Sequence, residues 1–349
     1  MRGRLGLLAL VAHCFGVRAS SGSPKPIIID TDIFSDVDDV GALAIANVLH
    51  NCGLADLRGV VVNERSKYGA LAANTINTHF FNGDVPVGMI RPLSNDTYFD
   101  DYYYLYGEYL SKVSHHWPSV LNESSEIPTP VEVYREILGS ANNNSLTIIS
   151  VGFLTNIADL LNSTPDNYSS SGGVDLVASK VKELVVMGGT YPSGWEYNFG
   201  GSDPASTKFV VDNWPSNVAV TYSGSELGGN IYSGFLLPTL SPPNSPILAA
   251  YQWYVGRGST VRPSWDPLTT LYGIVGLDGF QQLGFKAPLA FANDFGYNSV
   301  IENGTNTWVN DSSVTNQHWL KLADGVSNSS VSFMLDQFLV HDPLDTRCI

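Results

Sequence analysis

The sequence predicts an α/β fold in which helices flank an open, mostly parallel sheet. Short β-rich runs that are apolar on both faces alternate with segments whose apolar residues recur at helical spacing. This alternation is typical of parallel strands that are joined by helices. The chain has 349 residues, of which 44% are hydrophobic and 15% are charged, so it can bury a sizeable core.

The predicted elements follow one another along most of the chain. The strand candidates are PIIID, LRGVVVN, VPVGMI, SLTIISVG, KELVVMGG and NVAVTYSG. The helix candidates that alternate with them are DDVGALAIANVLHN, YGALAANTINTHFFN, TPVEVYREILGSA, FLTNIADLLNS and DPASTKFVVDNW. No internal repeat and no linker rich in Pro, Gly or Ser divides this pattern, so we expect one domain over residues 26–349.

The first twenty residues differ from the rest of the chain. Arg2 and Arg4 precede the apolar run LGLLALVAHCFGV, which gives way to the small residues ASSGS. This pattern predicts a secretory signal peptide over residues 1–20, cleaved near Ala19 or Ser20, and a secreted, extracellular protein. The alternative is a buried N-terminal helix. No later run is long and apolar enough to predict a transmembrane helix.

If the protein is exported, its cysteines can form a disulfide and its sequons can be glycosylated. Cys14 lies in the predicted signal peptide, whereas Cys52 and Cys348 either pair in an oxidising compartment or remain one buried and one terminal thiol. Sequons, which predict exposed loops in a glycoprotein, occur at Asn95, Asn122, Asn143, Asn162, Asn167, Asn303, Asn310 and Asn328.

The net charge of −15 argues against several classes of partner. A chain this acidic repels nucleic-acid backbones and anionic membranes, and no Lys/Arg cluster offsets the overall charge. We therefore expect a cation, a neutral small molecule or both as partners, and neither a nucleic acid nor a membrane.

The segment IIIDTDIFSDVDD contains five carboxylates within a stretch of ten residues, at Asp30, Asp32, Asp36, Asp38 and Asp39. Like charges a few ångströms apart raise one another's pKa and destabilise the fold unless something compensates. A hard divalent cation compensates well, and ligands that are all oxygen favour Ca²⁺ or Mg²⁺ over zinc. The alternative is that Asp36, Asp38 and Asp39 only stabilise the start of the following helix, which leaves Asp30 and Asp32 unexplained.

A phosphatase of the haloacid dehalogenase type is a second alternative for this segment, because its DxD also follows an apolar strand and binds Mg²⁺. That site needs a downstream Ser or Thr, a Lys and another acidic pair. No convincing acidic pair follows a later predicted strand in this chain.

The segment DTDIFSDVDD, followed by VGALAIA, resembles the signature DxDxxxDD of the calcium-dependent inosine-uridine nucleoside hydrolases. Further segments resemble the family in the same order up to about residue 272, namely GVVVN, SVGFLTNIADLL, VVMGGTYPSGWEYNFGGSDPAS and SWDPLTTLY. The resemblance implies the nucleoside hydrolase fold with its Rossmann-like core and a small-molecule nucleoside substrate. It also implies homo-oligomers, since related enzymes are commonly dimers or tetramers.

The resemblance also implies a reaction, in which the N-ribosyl bond is hydrolysed to ribose and a free base. Asp32 would be the general base, since it can contact both a metal and a water molecule. The ligands implied for Ca²⁺ are the side chains of Asp32, Asp39 and Asp266 and the backbone carbonyl of Val151. The residues implied to hold the sugar hydroxyls are Asp38, Asn63, Glu196 and Asn198.

Three departures from the family pattern bear on function. The closing pair of acids comes two residues late, so Asp36 competes with Asp38 and Asp39 for a role at the metal or the sugar. Trp265 stands where many members have a His that protonates the leaving group, and indole can stack on a base but cannot donate a proton at neutral pH. Trp195 stands where an Asn is expected. These changes leave open a rival function, a metal-dependent ribose or nucleoside binding protein without turnover.

Two other features have alternative interpretations. The stretch YFDDYYYLYGEYL over residues 98–110 either stacks on a leaving group or forms an amphipathic helix that packs its tyrosines on the core. His115 and His116 either replace the missing acid or form a solvated polar pair.

Overall fold

The computed structural model describes residues 23–34, 36–93, 104–256, 258–345 and 347–348. The predicted signal peptide, the sequon at Asn95 and the first part of the aromatic stretch, residues 98–103, lie outside the described residues.

Strands and helices alternate through the first two thirds of the chain. The strands are β1 (Lys25–Thr31), β2 (Ala55–Val62), β3 (Val87–Met89), β4 (Leu146–Ser150), β5 (Val181–Met187), β6 (Ser193–Gly194), β7 (Ala219–Ser223), β8 (Tyr232–Ser233), β9 (Arg262–Pro263), β10 (Leu289–Phe291), β11 (Tyr297–Val300), β12 (Asn306–Val309) and β13 (Gln317–Leu322). The helices are α1 (Asp38–Asn51), α2 (Gly69–His79), α3 (Tyr104–His116), α4 (Pro130–Ser140), α5 (Thr155–Asn162), α6 (Gly173–Lys180), α7 (Tyr197–Gly200), α8 (Pro204–Asn213), α9 (Ser225–Gly228), α10 (Leu237–Leu240), α11 (Pro246–Val255), α12 (Trp265–Val275) and α13 (Asn328–Leu339).

A sheet of eight strands forms the centre of the fold, in the order β10-β13-β7-β5-β4-β1-β2-β3. Neighbouring strands run parallel, except for the antiparallel pair β10 and β13 at one edge. The α/β class with an open, mostly parallel sheet is therefore confirmed.

Strand β1 is buried on both faces, as its run of isoleucines predicts. Ile27 and Ile29 pack into one hydrophobic cluster together with α1 and α12, and Ile28 packs into a second cluster together with α4 and α5. Alternate side chains of a strand point to opposite faces, so helices cover the sheet on both sides. This double burial fixes the position of β1, and with it the acids that follow.

The order of the strands in the sheet changes direction at β1, so that the neighbouring strands β1 and β4 form a switch point. β2 and β3 are added on one side of β1, whereas β4 and the later strands are added on the other side. In open α/β sheets, ligands bind beyond the carboxyl ends of the strands at such a switch point. The acidic segment follows β1 and Val151 follows β4, and the amide of Val151 donates to the carbonyl of Asp30 over 2.7 Å.

A three-stranded antiparallel sheet joins the C-terminal part of the chain to the loop after β5. Its order is β11-β12-β6, with Thr307 in register with Ser193. The amide of Trp308 donates to the carbonyl of Pro192 over 2.7 Å, and the indole Nε1 of Trp195 donates to the carbonyl of Asn303 over 3.1 Å. The C-terminal segment thereby holds the loop that carries Trp195.

Cys52 and Cys348 form a disulfide with their Cα atoms 5.3 Å apart, which decides between the two alternatives for this pair. The bond connects the end of α1 to the end of the chain across 296 residues of sequence. A cross-link that closes a long loop restricts the unfolded chain and so favours the folded state.

We expect the Cys348→Ser variant to lose roughly 2–4 kcal/mol of unfolding free energy, because the unfolded chain gains freedom when the loop is opened. Urea denaturation of both proteins measures the loss. The double variant Cys52→Ser/Cys348→Ser is the control and should lose no more than the single variant. Equal stability of the wild type and the single variant would contradict the prediction.

Within the described ranges, every helix is too short or too polar to span a bilayer. The described part of the aromatic stretch belongs to α3, where Tyr109 and Leu110 are fully buried. This packing agrees with the amphipathic-helix interpretation for these two residues.

Candidate active site

A cleft of about 370 Å³ lies beyond the carboxyl ends of the central strands, at the switch point. The described residues that line it are Asp32, Asp36, Val151, Met187, Trp195, Glu196, Tyr197, Asn198, Ser225, Tyr254, Arg262, Trp265 and Asp266.

The loop between β1 and α1 places the acids under this cleft. Asp32 is 7% exposed and lies against Gly152, where an added Cβ would come within 2.5 Å of the amide nitrogen of Asp32. Asp39 accepts a hydrogen bond from the hydroxyl of Thr31. The hydroxyl of Tyr109 donates to the carbonyl of Asp36 over 2.5 Å and holds the loop from the side of α3.

Asp38 connects the first turn of α1 to the start of α12. Its Oδ2 accepts from the amides of Trp265 at 3.0 Å and Asp266 at 3.2 Å. These amides belong to the first turn of α12, where backbone N–H groups lack helical partners and favour a negative charge. Asp38 therefore positions Asp266, which the sequence places 228 residues away. Its second oxygen, Oδ1, is buried and has no hydrogen-bond partner among the described residues.

Five acids, Asp32, Asp36, Asp38, Asp39 and Asp266, form what we call the acid cluster. Carboxylate oxygens of Asp36, Asp38 and Asp266 lie within 4.8 Å of one another. Two carboxylates this close can share only a proton or a cation without strong repulsion. The acid cluster can therefore hold a metal ion.

The pKa values of the buried acids reflect the same repulsion. Burial, followed by the charges of neighbouring acids, raises the pKa of Asp32, Asp38, Asp39 and Asp266 well above the ordinary range. Without a metal ion beside them, these acids hold protons at a pH where exposed carboxyls have lost them. A bound cation would reverse that shift.

Arg262 supplies one positive charge to the cleft. Its Nη2 lies 3.1 Å from Oδ2 of Asp36, and both side chains are partly exposed. The guanidinium carbon lies 5.2 Å from the ring centre of Tyr254 and 5.3 Å from that of Trp265. Burial alone would lower the pKa of Arg262, but the charges of Asp36 and Asp38 raise it, so the guanidinium stays protonated.

Asn63 faces a buried polar network behind the cleft. Its Nδ2 donates to Oδ1 of Asp30 at 2.9 Å and to the carbonyl of Phe153 at 2.8 Å. Asp30 also accepts from Asn156 at 2.9 Å and from the hydroxyl of Tyr134 at 2.8 Å. Burial nevertheless raises the pKa of Asp30 to about 7, against these hydrogen bonds. Oδ1 of Asn63 is buried and has no hydrogen-bond partner among the described residues.

Glu196 and Asn198 line the same cleft and offer it an acid and an amide. Glu196 accepts from the amides of Asn198 at 2.7 Å, Phe199 at 3.1 Å and Gly189 at 3.1 Å. Burial raises its pKa to about 7, although these donors oppose the rise. Nδ2 of Asn198 lies 3.4 Å from the carbonyl oxygen of Val151, which places the amide beside that predicted ligand.

Most of the residues singled out by the sequence meet at this cleft. Those that line it are Asp32, Asp36, Val151, Trp195, Glu196, Asn198, Trp265 and Asp266. Asp38 and Asp39 lie buried in the first turn of α1, and Asn63 lies in the network around Asp30. His115 and His116 are exposed in the last turn of α3 and are absent from the described lining of the cleft. The roles assigned to all these residues stay predictions.

Several cleft residues were not predicted from the sequence, namely Met187, Tyr197, Ser225, Tyr254 and Arg262. Arg262 lies three residues before Trp265, in the segment RPSWDP, and this proximity to Trp265 and Asp266 was its only indication in the sequence.

The profile of the family described as inosine-uridine preferring nucleoside hydrolase matches residues 27–274, which is more than half of the chain. The chain belongs to this nucleoside hydrolase family. The matched range includes every residue of the acid cluster. As a member, the protein is a hydrolase that acts on N-glycosyl compounds, and small-molecule nucleosides are its class of substrate.

Solved structures of similar fold agree with this membership. A plant nucleoside hydrolase is 17% identical, with a TM-score of 0.63 over 91% of this chain and 99% of that chain. A purine-preferring ribonucleoside hydrolase from Gardnerella vaginalis is 14% identical, with a TM-score of 0.64 over 91% of this chain and 99% of that chain. At such identities, the likeness shows the nucleoside hydrolase fold.

A relative with greater sequence similarity is an uncharacterized protein from Schizosaccharomyces pombe (strain 972 / ATCC 24843). It is 28% identical over 300 residues, which are 76% of this chain and 73% of that protein.

Proposed function

We propose that the protein is an exported, Ca²⁺-dependent nucleosidase that hydrolyses the N-ribosyl bond of nucleosides to ribose and a free base. The observation that carries the proposal is the acid cluster, in which the carboxylates of Asp36, Asp38 and Asp266 meet at a cleft lined by both polar and aromatic residues. A sugar needs the polar groups and a base needs the aromatic ones, and this cleft offers both.

The chemistry of the donor set supports calcium. The candidate ligands are carboxylates and the backbone carbonyl of Val151, and hard oxygen donors of this kind suit Ca²⁺. Asp32, Asp39 and Asp266 would hold the ion with that carbonyl, and Asp36 is a further candidate, since it lies within reach of Asp266. The buried Oδ1 of Asp38 has no hydrogen-bond partner among the described residues, so it can still accept from a ligand hydroxyl or contact a cation. A bound divalent cation supplies charge that lowers the pKa of a water molecule.

The protein's own residues would perform the remaining steps. Asp32 would take a proton from the attacking water, because it lines the cleft at the end of β1. Glu196 and Asn198 would hold the sugar, and the free Oδ1 of Asn63 and the carboxylate of Asp38 would accept from its hydroxyls. The negative acid cluster would stabilise the positive charge that develops on the sugar. Since water attacks the carbon directly, the product should have inverted configuration.

A binding protein without turnover is the second candidate function. Trp265 favours it, because the indole lines the cleft and donates its Nε1 proton to the carbonyl of Ser225 over 2.8 Å. Such a side chain packs well but gives no proton to a leaving group. A protein of this kind would retain ribosides and calcium without releasing ribose.

Export is supported by two observations besides the N-terminal pattern. A disulfide links Cys52 and Cys348, and disulfides persist in oxidising compartments. The Asn side chains of the seven sequons within the described ranges are all exposed, so each is accessible for glycosylation. The resemblance also implies a homo-oligomer, whose state light scattering of the purified protein would measure.

The experiment that tests the proposal is ribose release from a panel of purine and pyrimidine nucleosides, with added Ca²⁺ and with a chelator. Release that depends on calcium supports the nucleosidase. If ribosides and calcium are bound but no nucleoside is cleaved, the binding protein is the better conclusion. If ribose is still released in the presence of chelator, only the calcium requirement is contradicted, and the nucleosidase activity stands.

A further inference from the structure

The guanidinium of Arg262 has no role in the chemistry described so far. Among the described residues that line the cleft, it is the one formally positive side chain. Asp36 holds it at 3.1 Å, and the rings of Tyr254 and Trp265 lie 5.2 and 5.3 Å from its centre. An aromatic ring near a guanidinium attracts it and limits its orientations, so the charge is held in one place within the cleft.

Much of the hydrogen-bonding capacity of Arg262 is unused. A guanidinium has five N–H donors, and its Nη2 makes the bond to Asp36. Its Nε is buried and has no hydrogen-bond partner among the described residues. A buried donor without an acceptor costs free energy, and an acceptor on a ligand would remove that cost.

The neighbours of Arg262 indicate which part of a substrate it faces. Glu196 and Asn198 provide polar groups that a sugar needs, and Trp195 and Tyr197 line the cleft beside them. Arg262 itself lies against the rings of Tyr254 and Trp265, which suit a flat base. Trp265 is directly followed by Asp266 of the acid cluster, so this aromatic wall adjoins the predicted position of the reacting carbon. Arg262 therefore lies against an aromatic wall on which a base can stack.

We propose that Arg262 is the leaving-group residue of this enzyme, a role that rests on the nucleosidase function proposed above. When the bond between C1′ and nitrogen breaks, its electron pair remains on the base, and an N–H of Arg262 donates a hydrogen bond to the developing negative charge. The water oxygen forms the new bond to C1′, its proton passes to Asp32, and the departed base takes a proton from solvent. The guanidinium keeps its own proton throughout.

This role differs from proton donation by a histidine. Arg262 stabilises charge without transferring a proton, because a guanidinium stays protonated across the working pH range. Its contribution should therefore depend on how much negative charge the leaving group must carry. A leaving group that is already stable as an anion needs no such partner.

The alternative is that Arg262 only neutralises Asp36 within the acid cluster. In that case, its loss would disturb metal binding and would slow every substrate to the same degree. The two roles therefore differ in their dependence on the leaving group and in their effect on calcium affinity.

The test compares Arg262→Gln and Arg262→Lys with the wild type, on uridine and inosine and on 4-nitrophenyl β-D-ribofuranoside, whose phenolate departs without help. We expect Arg262→Gln to lower kcat for the nucleosides by about 10²-fold, as loss of one stabilising donor typically does, and to leave the 4-nitrophenyl riboside nearly unchanged. Arg262→Lys should recover part of the nucleoside rate, because it restores the charge. Calcium affinity measured by calorimetry should stay close to that of the wild type.

Arg58→Gln is the matched control, because Arg58 forms an exposed pair with Asp56 at the same 3.1 Å separation, in β2. It should change no rate. Equal losses on both kinds of substrate, or a large loss of calcium affinity, would overturn the leaving-group role and leave the nucleosidase intact. If the wild type cleaves neither kind of substrate, the proposed function itself is wrong, and the role of Arg262 is rejected with it.

Discussion

Asp32→Asn is expected to lower kcat for nucleoside hydrolysis by about 10²–10⁴-fold, the usual contribution of a general base. Asp32 follows β1, is 7% exposed and lines the cleft beside Val151. Asn has nearly the same size and can still accept a hydrogen bond, so the fold and the sugar contacts should persist. It cannot take a proton from water, and the chemical step should fail.

The measurement is kcat at saturating Ca²⁺ together with riboside affinity and calcium affinity by calorimetry. Saturating calcium is needed because Asp32 is also a predicted metal ligand. Asp56→Asn, at a partly exposed position in β2 outside the cleft, is the control and should leave all three values unchanged. A variant that cleaves nucleosides at the wild-type rate would show that another group is the base. Parallel loss of rate and of riboside affinity would mean that Asp32 mainly holds the sugar.

Removal of divalent cations is expected to destabilise the protein at pH 8 by several kcal/mol and to have little effect at pH 5. Burial raises the pKa of Glu196 to about 7, and it raises the pKa of the buried members of the acid cluster well above the ordinary range. In the unfolded chain these groups have pKa values near ~4. The folded protein therefore binds more protons than the unfolded chain between about pH 4 and 7, and its stability falls as the pH rises through that range.

For Glu196 alone, a rise in pKa from 4.5 to about 7 corresponds to roughly 3 kcal/mol of stability lost above pH 7. The acid cluster adds to this loss when no cation is present. Bound calcium offsets the repulsion at pH 8, where the carboxyls are ionised, but has little to offset at pH 5, where protons already occupy them. Ligand binding to the folded state alone raises stability in proportion to the logarithm of its concentration.

Thermal unfolding at pH 5 and pH 8, with Ca²⁺ or with chelator, measures this effect. The variant Asp266→Asn should show a smaller calcium effect at pH 8, since it removes one predicted ligand, and Asp324→Asn, at an exposed position, should match the wild type. A shift in Tm that is the same at both pH values would contradict the prediction. A Tm that does not change with calcium at either pH would also contradict the prediction.

The central fold could be predicted because each of its strands and helices is specified by the residues of its own segment. The isoleucines of β1 and the apolar periodicity of α1 specify a buried strand and a covered helix without reference to distant residues. The position of the cleft could be predicted from the ends of the strands, because parallel strands place their carboxyl ends at one edge of the sheet. The acidic segment itself indicated a cation from the repulsion between its members.

The remainder depended on contacts between distant parts of the chain. Strands β6, β11 and β12 are two to four residues long, and such strands are defined by their partners more than by their own composition. Nothing near Arg262 shows that it meets Asp36, which lies 226 residues earlier. The pair Cys52–Cys348 stayed open for the same reason, because sequence spacing gives no distance between thiols.

The pairing of β12 with β6 has a consequence for how functions are assigned across relatives. The segment that holds Trp195 through Asn303 and Pro192 through Trp308 lies beyond residue 274, where the family match ends. Two relatives could therefore share every acid of the matched region and still differ in the mouth of the cleft. Substitutions in β11 and β12 offer a route by which substrate preference diverges while the acid cluster stays constant. Transfer of a substrate from one member to another should accordingly compare residues 297–309 as well as the signature.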